Sequence, residues 1–265
     1  MNHLKLLNRY VLRCTLASEA AVHVGTGVAS LDSDAPVVRE NGRPYLPGSS
    51  LRGVMRSTVE RIMNTLAEGS CCTLFQPEGA AACDAGSQKR REELESLTSA
   101  ELDRAKNSLR FCPVCRLFGS TLMASRLKVG DAFPQEGDSG QPNRRDGVGI
   151  DRDTGTAKDK IKFDFEALEQ RCDFQFTVQL ENAEPSDLGL LYVALKEMEH
   201  GFDVGGKRSR GLGRVKLKGY GVEFFDPDHG HDLRSFLERG LAPMDQTTFE
   251  GWLQRGFNTL LQESK

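Results

Sequence analysis

The sequence predicts an α+β fold, a modified ferredoxin-like or RRM-like palm that carries large insertions. Three observations predict it. Two segments alternate apolar and polar residues as half-buried strands do. Each is followed by a stretch with helical spacing of apolar residues. The resulting order of strand, helix, strands, then strand, helix, strand is that of a split βαβ sheet.

The first strand is carried by Leu12, Cys14 and Leu16, which alternate with Arg13 and Thr15 and continue towards Val22 and Val24. A Gly- and Ser-containing loop, GTGVASLDSD, follows and reads as flexible. After the Asn41-Gly42 turn and the Pro47-Gly48 pair, apolar residues recur at Leu51, Val54, Met55, Val59, Ile62, Met63 and Leu66. That spacing is helical, with Ser49 or Ser50 as the expected N-cap. A charged helix is expected near Arg90 to Lys106, inside an insertion at 69–118 that carries most of the cysteines. Residues 130–162 are rich in Gly, Asp and Arg and read as a second excursion, mobile or hairpin-like. Cys172, Phe174, Phe176, Val178 and Leu180 then alternate with polar residues, the clearest strand in the chain. A helix is expected from about Asp187 to His200, and a final strand pair over Val215 to Phe224. One domain over 1–225 and a helical tail over 226–265 account for the length.

At 38% apolar and 28% charged residues, the 265-residue chain is long enough to bury a full core and contains no run able to span a bilayer. MNHLKLLNRY has no apolar core of a signal peptide, so the protein is expected in the cytoplasm, with no membrane partner. The net charge of -3 conceals a local excess. Six basic residues between Gly201 and Lys218 face the single acid Asp203, whereas from Glu223 onwards eight acids outnumber four bases.

Five motifs carry possible chemistry. In PYLPGSSLRGVMRS, a helix N-terminus with Ser49 and Ser50 offers free amides to an anion, and Arg52 and Arg56 share one helical face. An ordinary capped helix with a solvated basic edge explains the same residues. In GFDVGGKRSRGLGRV, five glycines surround Lys207, Arg208, Ser209 and Arg210. Neither the Walker nor the dinucleotide template fits, and contact with a phosphate backbone explains the clustered cations better than a plain connector does. GVGIDRDTGTAKDKIKFDFEAL reads as a hairpin tip with no chemistry of its own. Cys112-Pro-Val-Cys115 is a two-thiolate knuckle that Cys83 with Cys72 or Cys71 can complete to a tetrahedral zinc site, with redox-active or merely buried thiols as the alternative. Asp32 and Asp34 are by spacing alone solvated loop acids, although a loop carboxylate can also hold a divalent ion. His23, in AVHVGTG, fits a core, an edge or a contact position. HExxH, GxSxG and Walker A motifs are absent from the sequence.

Taken in order, AVHVGTG, DAPVVRENGRPYLPGSSLRGVMR, CPVCRLFGS, GIDRDTGTAKDKIKFDFE and GGKRSRGLGRV resemble the CRISPR-associated RAMP superfamily, specifically the repeated backbone subunit of type III effector complexes. The resemblance extends to about Phe225. It implies copies stacked along a guide RNA (crRNA), a complementary target RNA and other subunits of the same complex as partners. It further implies guide contacts at His23, Ser49, Ser50, Arg52, Arg56 and the Lys207 to Arg210 loop. A hairpin thumb including Arg152 and Thr154 would displace one base pair of the guide-target duplex. Asp34 matches the residue to which metal-dependent cleavage of target RNA is attributed, which implies Mg²⁺ or another divalent ion. The cysteine insertion resembles the zinc-containing variant, with Cys72, Cys83, Cys112 and Cys115 as ligands. The alternatives are a purely architectural RNA-binding subunit and a nuclease that matures guide RNA alone, for which no close pair of histidines is visible.

Overall fold

In the computed structural model, residues 5–73, 83–84, 88–98, 100–101, 105, 108–135, 141–169 and 171–263 are described. Strand β1 (Arg9–Ser18) buries Tyr10, Leu12, Cys14 and Leu16 on one face, as their alternation requires. It is the central strand. It pairs antiparallel with β8 (Asp173–Glu181) on one side and β10 (Arg214–Phe225) on the other.

Helix α1 (Gly48–Leu66) crosses from β1 towards the short strand β4 (Leu127–Val129), which pairs antiparallel with β8. Between them lie β2 (Arg39–Glu40), β3 (Arg43–Pro44), α2 (Gln88–Glu95) and the knuckle helix α3 (Pro113–Phe118). Strand β5 (Phe133–Pro134) adds to the far end of β8. The second helix, α4 (Pro185–His200), returns the chain through β9 (Phe202–Asp203) to β10. The sheet order β10, β1, β8, β4, all antiparallel, is that of a ferredoxin-like split βαβ unit, so the predicted α+β class is observed. A long hairpin of β6 (Pro142–Ile150) and β7 (Ala157–Leu168) stands apart as its own two-stranded ribbon.

Several expectations change. Neither Ser49 nor Ser50 caps α1: the cap position is Pro47, and the Gly48 amide donates to Asp131 Oδ1 at 2.6 Å. Only part of the expected charged helix, through Glu95, is a described element, and its continuation to Lys106 falls largely outside the described residues. The expected strand pair over Val215 to Phe224 is one strand. Its buried residues run Val215 and Leu217, then Tyr220 and Val222, because a bulge opposite Thr15 and Leu16 inserts one residue and resets the alternation.

The segment after Phe225 is part of the body. It contains α5 (Leu233–Arg239), β11 (Ala242–Met244), which extends the sheet beside β10, and α6 (Gln246–Glu263). Phe249, Leu253 and Leu260 of α6 lie in the main core with Leu190, Leu191 and Ala194 of α4. The two helices touch through glycine: a Cβ on Gly189 would stand 2.5 Å from Gly256 O, and one on Gly256 would stand 2.3 Å from Pro185 O.

Gly256→Val therefore forces α6 off α4 and is expected to cost about 1–3 kcal/mol. In thermal denaturation that is a loss of roughly 2–4 °C per kcal/mol; an unchanged melting temperature would contradict this crossing.

Candidate functional site

Four segments distant in sequence meet at the base of the hairpin. Residues 21–25 pair with the end of β7, where Val22 and Leu168 exchange amide hydrogen bonds of 2.9 and 2.8 Å. The Gly-rich loop laces onto the same segment, since Gly206 N–H donates to His23 O at 2.8 Å and Gly213 N–H to Ala21 O at 2.8 Å. Gly205 is required there, with φ +82° and a Cβ position only 2.2 Å from His23 O. Its glycines thus serve close approach to the protein's own chain.

Residues 34–38 form the fourth segment. Val38 N–H donates to Val24 O and Thr26 N–H to Pro36 O, while Glu166 N–H donates to Ala35 O. The loop expected to be flexible is therefore tied down by hydrogen bonds of its backbone at Thr26 and from Asp34 onwards. Asp32 is exposed, whereas Asp34 has an exposed side chain on a fixed backbone: its N–H donates to Asp164 Oδ1 at 3.0 Å, and Asp164 N–H donates to Asp34 Oδ2 at 3.0 Å. Asp164 is buried and also bonds Arg144. The Ser33 hydroxyl, then the Asp34 amide and Arg144, hold its carboxyl below the ordinary range against the opposing effect of burial.

The other face of β7 carries Phe163 and Phe165. Lys207 Nζ lies 4.6 Å from the Phe165 ring centre and 5.7 Å from that of Phe163, and the Arg210 guanidinium is 5.7 Å from Phe163. Such contacts contribute on the order of 0.5–1 kcal/mol each at partly exposed sites and leave the cations' outer sides open. Among the described residues, no carboxylate pairs with Lys207, Arg208 or Arg210. Elsewhere in the basic run, Lys218 lies 2.5 Å from Asp173 and Arg214 sits beside Glu19 and Asp203. Phe163 folds over the opposite strand at Gly147, where a Cβ would meet its ring at 2.3 Å. Beyond it, Ile161, Val148 and Ile150 are exposed apolar residues leading to the tip, where Arg152 and Thr154 are exposed.

His23 is buried, edge-on to Phe165 at 5.7 Å. A carbonyl only accepts, so the 2.6 Å contact with Glu166 O fixes the proton on Nδ1. Its backbone anchors the Gly-rich loop.

The second site is the cysteine cluster. Cys72, Cys83, Cys112 and Cys115 are all buried, with sulfurs within 4.8 Å of one another and the Cys72 and Cys83 sulfurs 3.4 Å apart. A tetrahedral zinc with bonds of about 2.3 Å places sulfurs about 3.8 Å apart, so the donor set fits. Cys72 N–H and Cys115 N–H both point to Cys112 Sγ at 3.5 Å, as knuckle amides do. Cys71 is excluded: it faces α1, bonded to Asn64 and to Glu60 O, and burial pushes its thiol up to about 12. Hydrogen bonds from Cys112 and Cys115 draw the Cys72 and Cys83 thiols below their ordinary value, Cys83 to about 6. Cys115, facing Cys112, Cys72 and Cys83, is held protonated in the absence of a cation.

Arg56, expected as a guide contact on a solvated edge, lies instead in the interior beside this second site. It is buried, bonded to Glu60 at 2.7 Å and to Gly119 O at 3.0 Å. Burial works against its charge, but Glu60 and the Cys115 and Cys112 sulfurs outweigh it and raise its pKa. Arg52 turns the same way, donating to Phe118 O with its guanidinium 6.0 Å from the Phe118 ring. The shared helical face is real, but it looks at α3 and is not a solvated edge. Only Ser49 and partly exposed Ser50 remain open at the helix start.

The RAMP superfamily model matches residues 16–216, which include the hairpin, the Gly-rich loop and the cysteine cluster. The chain belongs to the RAMP superfamily. A curated relative, the CRISPR system Cms endoribonuclease Csm3 of Methanothermobacter thermautotrophicus, is 28% identical over 74 residues. That match covers 26% of this RAMP chain and 30% of the relative, so less than a third of the relative's length is spanned. No helix among the described residues is long and apolar enough to cross a membrane.

Phe163, Asp164, Phe165 and Arg144 are the RAMP residues that sequence reasoning missed as site residues. The signal for the three β7 residues was the alternation in KFDFE, which puts two aromatics on one face and two acids on the other, whereas no local pattern marks Arg144.

Arg56→Ala leaves Glu60 buried without a partner and is expected to destabilise the chain by about 3 kcal/mol. Arg208→Ala, on the exposed loop, is expected to change stability by less than about 0.5 kcal/mol. Equal denaturation midpoints for the two variants would contradict the division of the arginines between core and surface.

Proposed function

We propose that this RAMP protein is a backbone subunit of a type III CRISPR ribonucleoprotein that binds guide RNA along a filament of its own copies and cuts the paired target RNA. The observation that carries the binding half is the patch of cations without a carboxylate partner among the described residues, Lys207, Arg208 and Arg210, beside the root of a hairpin of eight residue pairs. Phosphates neutralise such cations and release counterions. Ser209, Ser49, Ser50 and the hairpin-tip residues Arg152 and Thr154 are the remaining polar contacts in this reading, and His23 acts through the backbone it holds. Base pairing with the guide supplies the sequence specificity, as in other guided effectors. The hairpin, as a thumb, would interrupt the guide-target duplex with the exposed Ile150 and Val148 near its end.

Cleavage is assigned to Asp34, whose carboxylate is exposed beside the hairpin root and pairs with no cation among the described residues. It would hold Mg²⁺ or another divalent ion, which supplies charge stabilisation at the scissile phosphate. The chain's own share is to fix that carboxylate relative to the thumb. Family membership and the similarity to a protein named an endoribonuclease support this reading. The four cysteines are proposed to hold one structural zinc, since a closed four-thiolate set leaves no open position for water. One observation favours the architectural alternative: an Asp34 oxygen is already engaged by the Asp164 amide.

In a complex reconstituted with guide RNA, Asp34→Ala is expected to slow divalent-dependent target cleavage at least about 100-fold while guide and target binding persist; unchanged cleavage would refute the catalytic assignment. Metal analysis of the purified protein is expected to give about one zinc per chain, lost together with thermal stability in Cys115→Ser. A value well under one would contradict the zinc site.

A further inference from the structure

On β7, Asp164 and Glu166 share one face, and neither carboxylate is turned to solvent. Asp164 accepts the Asp34 amide at 3.0 Å and Glu166 accepts the Val37 amide at 2.9 Å. Between these two amides sits Pro36, which has no N–H, so this stretch cannot complete a regular ladder with β7. Side-chain carboxylates replace the missing main-chain acceptors. Burying two acids beside a third is electrostatically costly, and the cost is offset by Arg144 on Asp164 and Arg39 on Glu166. A fold needing only to fasten a loop could use uncharged side chains there. Among the described residues, Asp34 is the acid of the group that pairs with no cation.

We infer that Asp164 is a positioning residue for Asp34, clasping the catalytic segment to the hairpin so that one strand sets both where the duplex is distorted and where the carboxylate stands. The inference rests on the proposed cleavage role of Asp34 and adds a residue to it. The clasp is reciprocal, since the Asp164 amide in turn holds Asp34 Oδ2 at 3.0 Å, while among the described residues Oδ1 is not seen in a hydrogen bond. Displacement of a reacting group by about 1 Å can slow a reaction on the order of 100-fold, so an unclasped Asp34 would be present but misplaced.

The test uses the reconstituted complex with guide and target. Asp164→Ala is expected to reduce single-turnover cleavage about 10- to 100-fold and to raise the half-saturating Mg²⁺ concentration several-fold, with target affinity within about twofold of the parent. Asp164→Asn, whose Oδ1 still accepts the Asp34 amide, is expected to recover most of the rate. In the Asp34→Ala background, Asp164→Ala is expected to add no further loss. Amide exchange over 33–37 in the same complex is expected to accelerate at least tenfold in Asp164→Ala, whatever the activity. Unchanged exchange, a loss of target binding that parallels the loss of cleavage, or additive losses in the double variant would overturn the inference. Full cleavage by Asp34→Ala would instead sink the catalytic assignment, and the exchange result would still decide whether the clasp exists.

Discussion

The Asp34 amide bonded to the Asp164 carboxylate, answered by the Asp164 amide on the Asp34 carboxylate, joins positions 130 residues apart. Without this exchange, residues 34–38 would still be tied to residues 24–26 and to Glu166, but the Asp34 end of the segment would lose its hold on the hairpin. With it, β7 works on both faces. The acids of one face hold the Asp34 segment, and the aromatics of the other seat Lys207 and Arg210. Ala35 packs against the same small cluster as Phe163, alongside Ala21, Phe165, Ala167 and Leu212, so the two faces are also mechanically coupled.

That ribbon is rooted in a sheet whose geometry is set by β1. Pairing on both sides leaves the strand no free edge, and its buried face meets α4 and, through Tyr10, the C-terminal helix: Tyr10 bonds buried Asp226 and lies against Phe249 and Trp252. Burial and then the Asp226 hydrogen bond raise the Tyr10 phenol well above its ordinary value, so it stays a donor at any physiological pH. The cysteine knuckle lies towards the β4 edge of the sheet, where Arg126 N–H donates to Leu117 O. There Arg56 and Arg52 join α1 to α3, and a four-thiolate site can do what a larger apolar insertion core would otherwise do.

The parts that could be read in the sequence are those fixed by local periodicity or by ligand chemistry. Strand β8 and helix α4 follow from residues that are neighbours in the chain, and the CPVC knuckle follows from thiolate spacing. Thiolate spacing leaves Cys71 and Cys72 open; the resemblance favours Cys72, and the structure groups Cys72 with the other three because two adjacent cysteines on an irregular segment point in different directions. Other features depend on contacts that no local pattern encodes. The bulge in β10 broke one strand into two apparent phases. Arg56 looked solvent-facing because its neighbour across the face, Gly119, lies 63 residues away. The acidic C-terminal segment looked peripheral because its apolar residues, spread thinly along α6, meet their partners only through the close Gly189 and Gly256 crossing. Asp34 was singled out by resemblance alone, and its fixed backbone could not be seen without Asp164.

The central claim is that RNA runs past the Gly-rich loop and the hairpin, and not across the acidic C-terminal face. Photo-crosslinking of a 4-thiouridine-substituted guide in the assembled complex, with the crosslinked peptides identified by mass spectrometry, tests it most directly. Crosslinks within residues 147–163 and 204–213 are the predicted result. Crosslinks concentrated in residues 226–263, with none in those two segments, would contradict it.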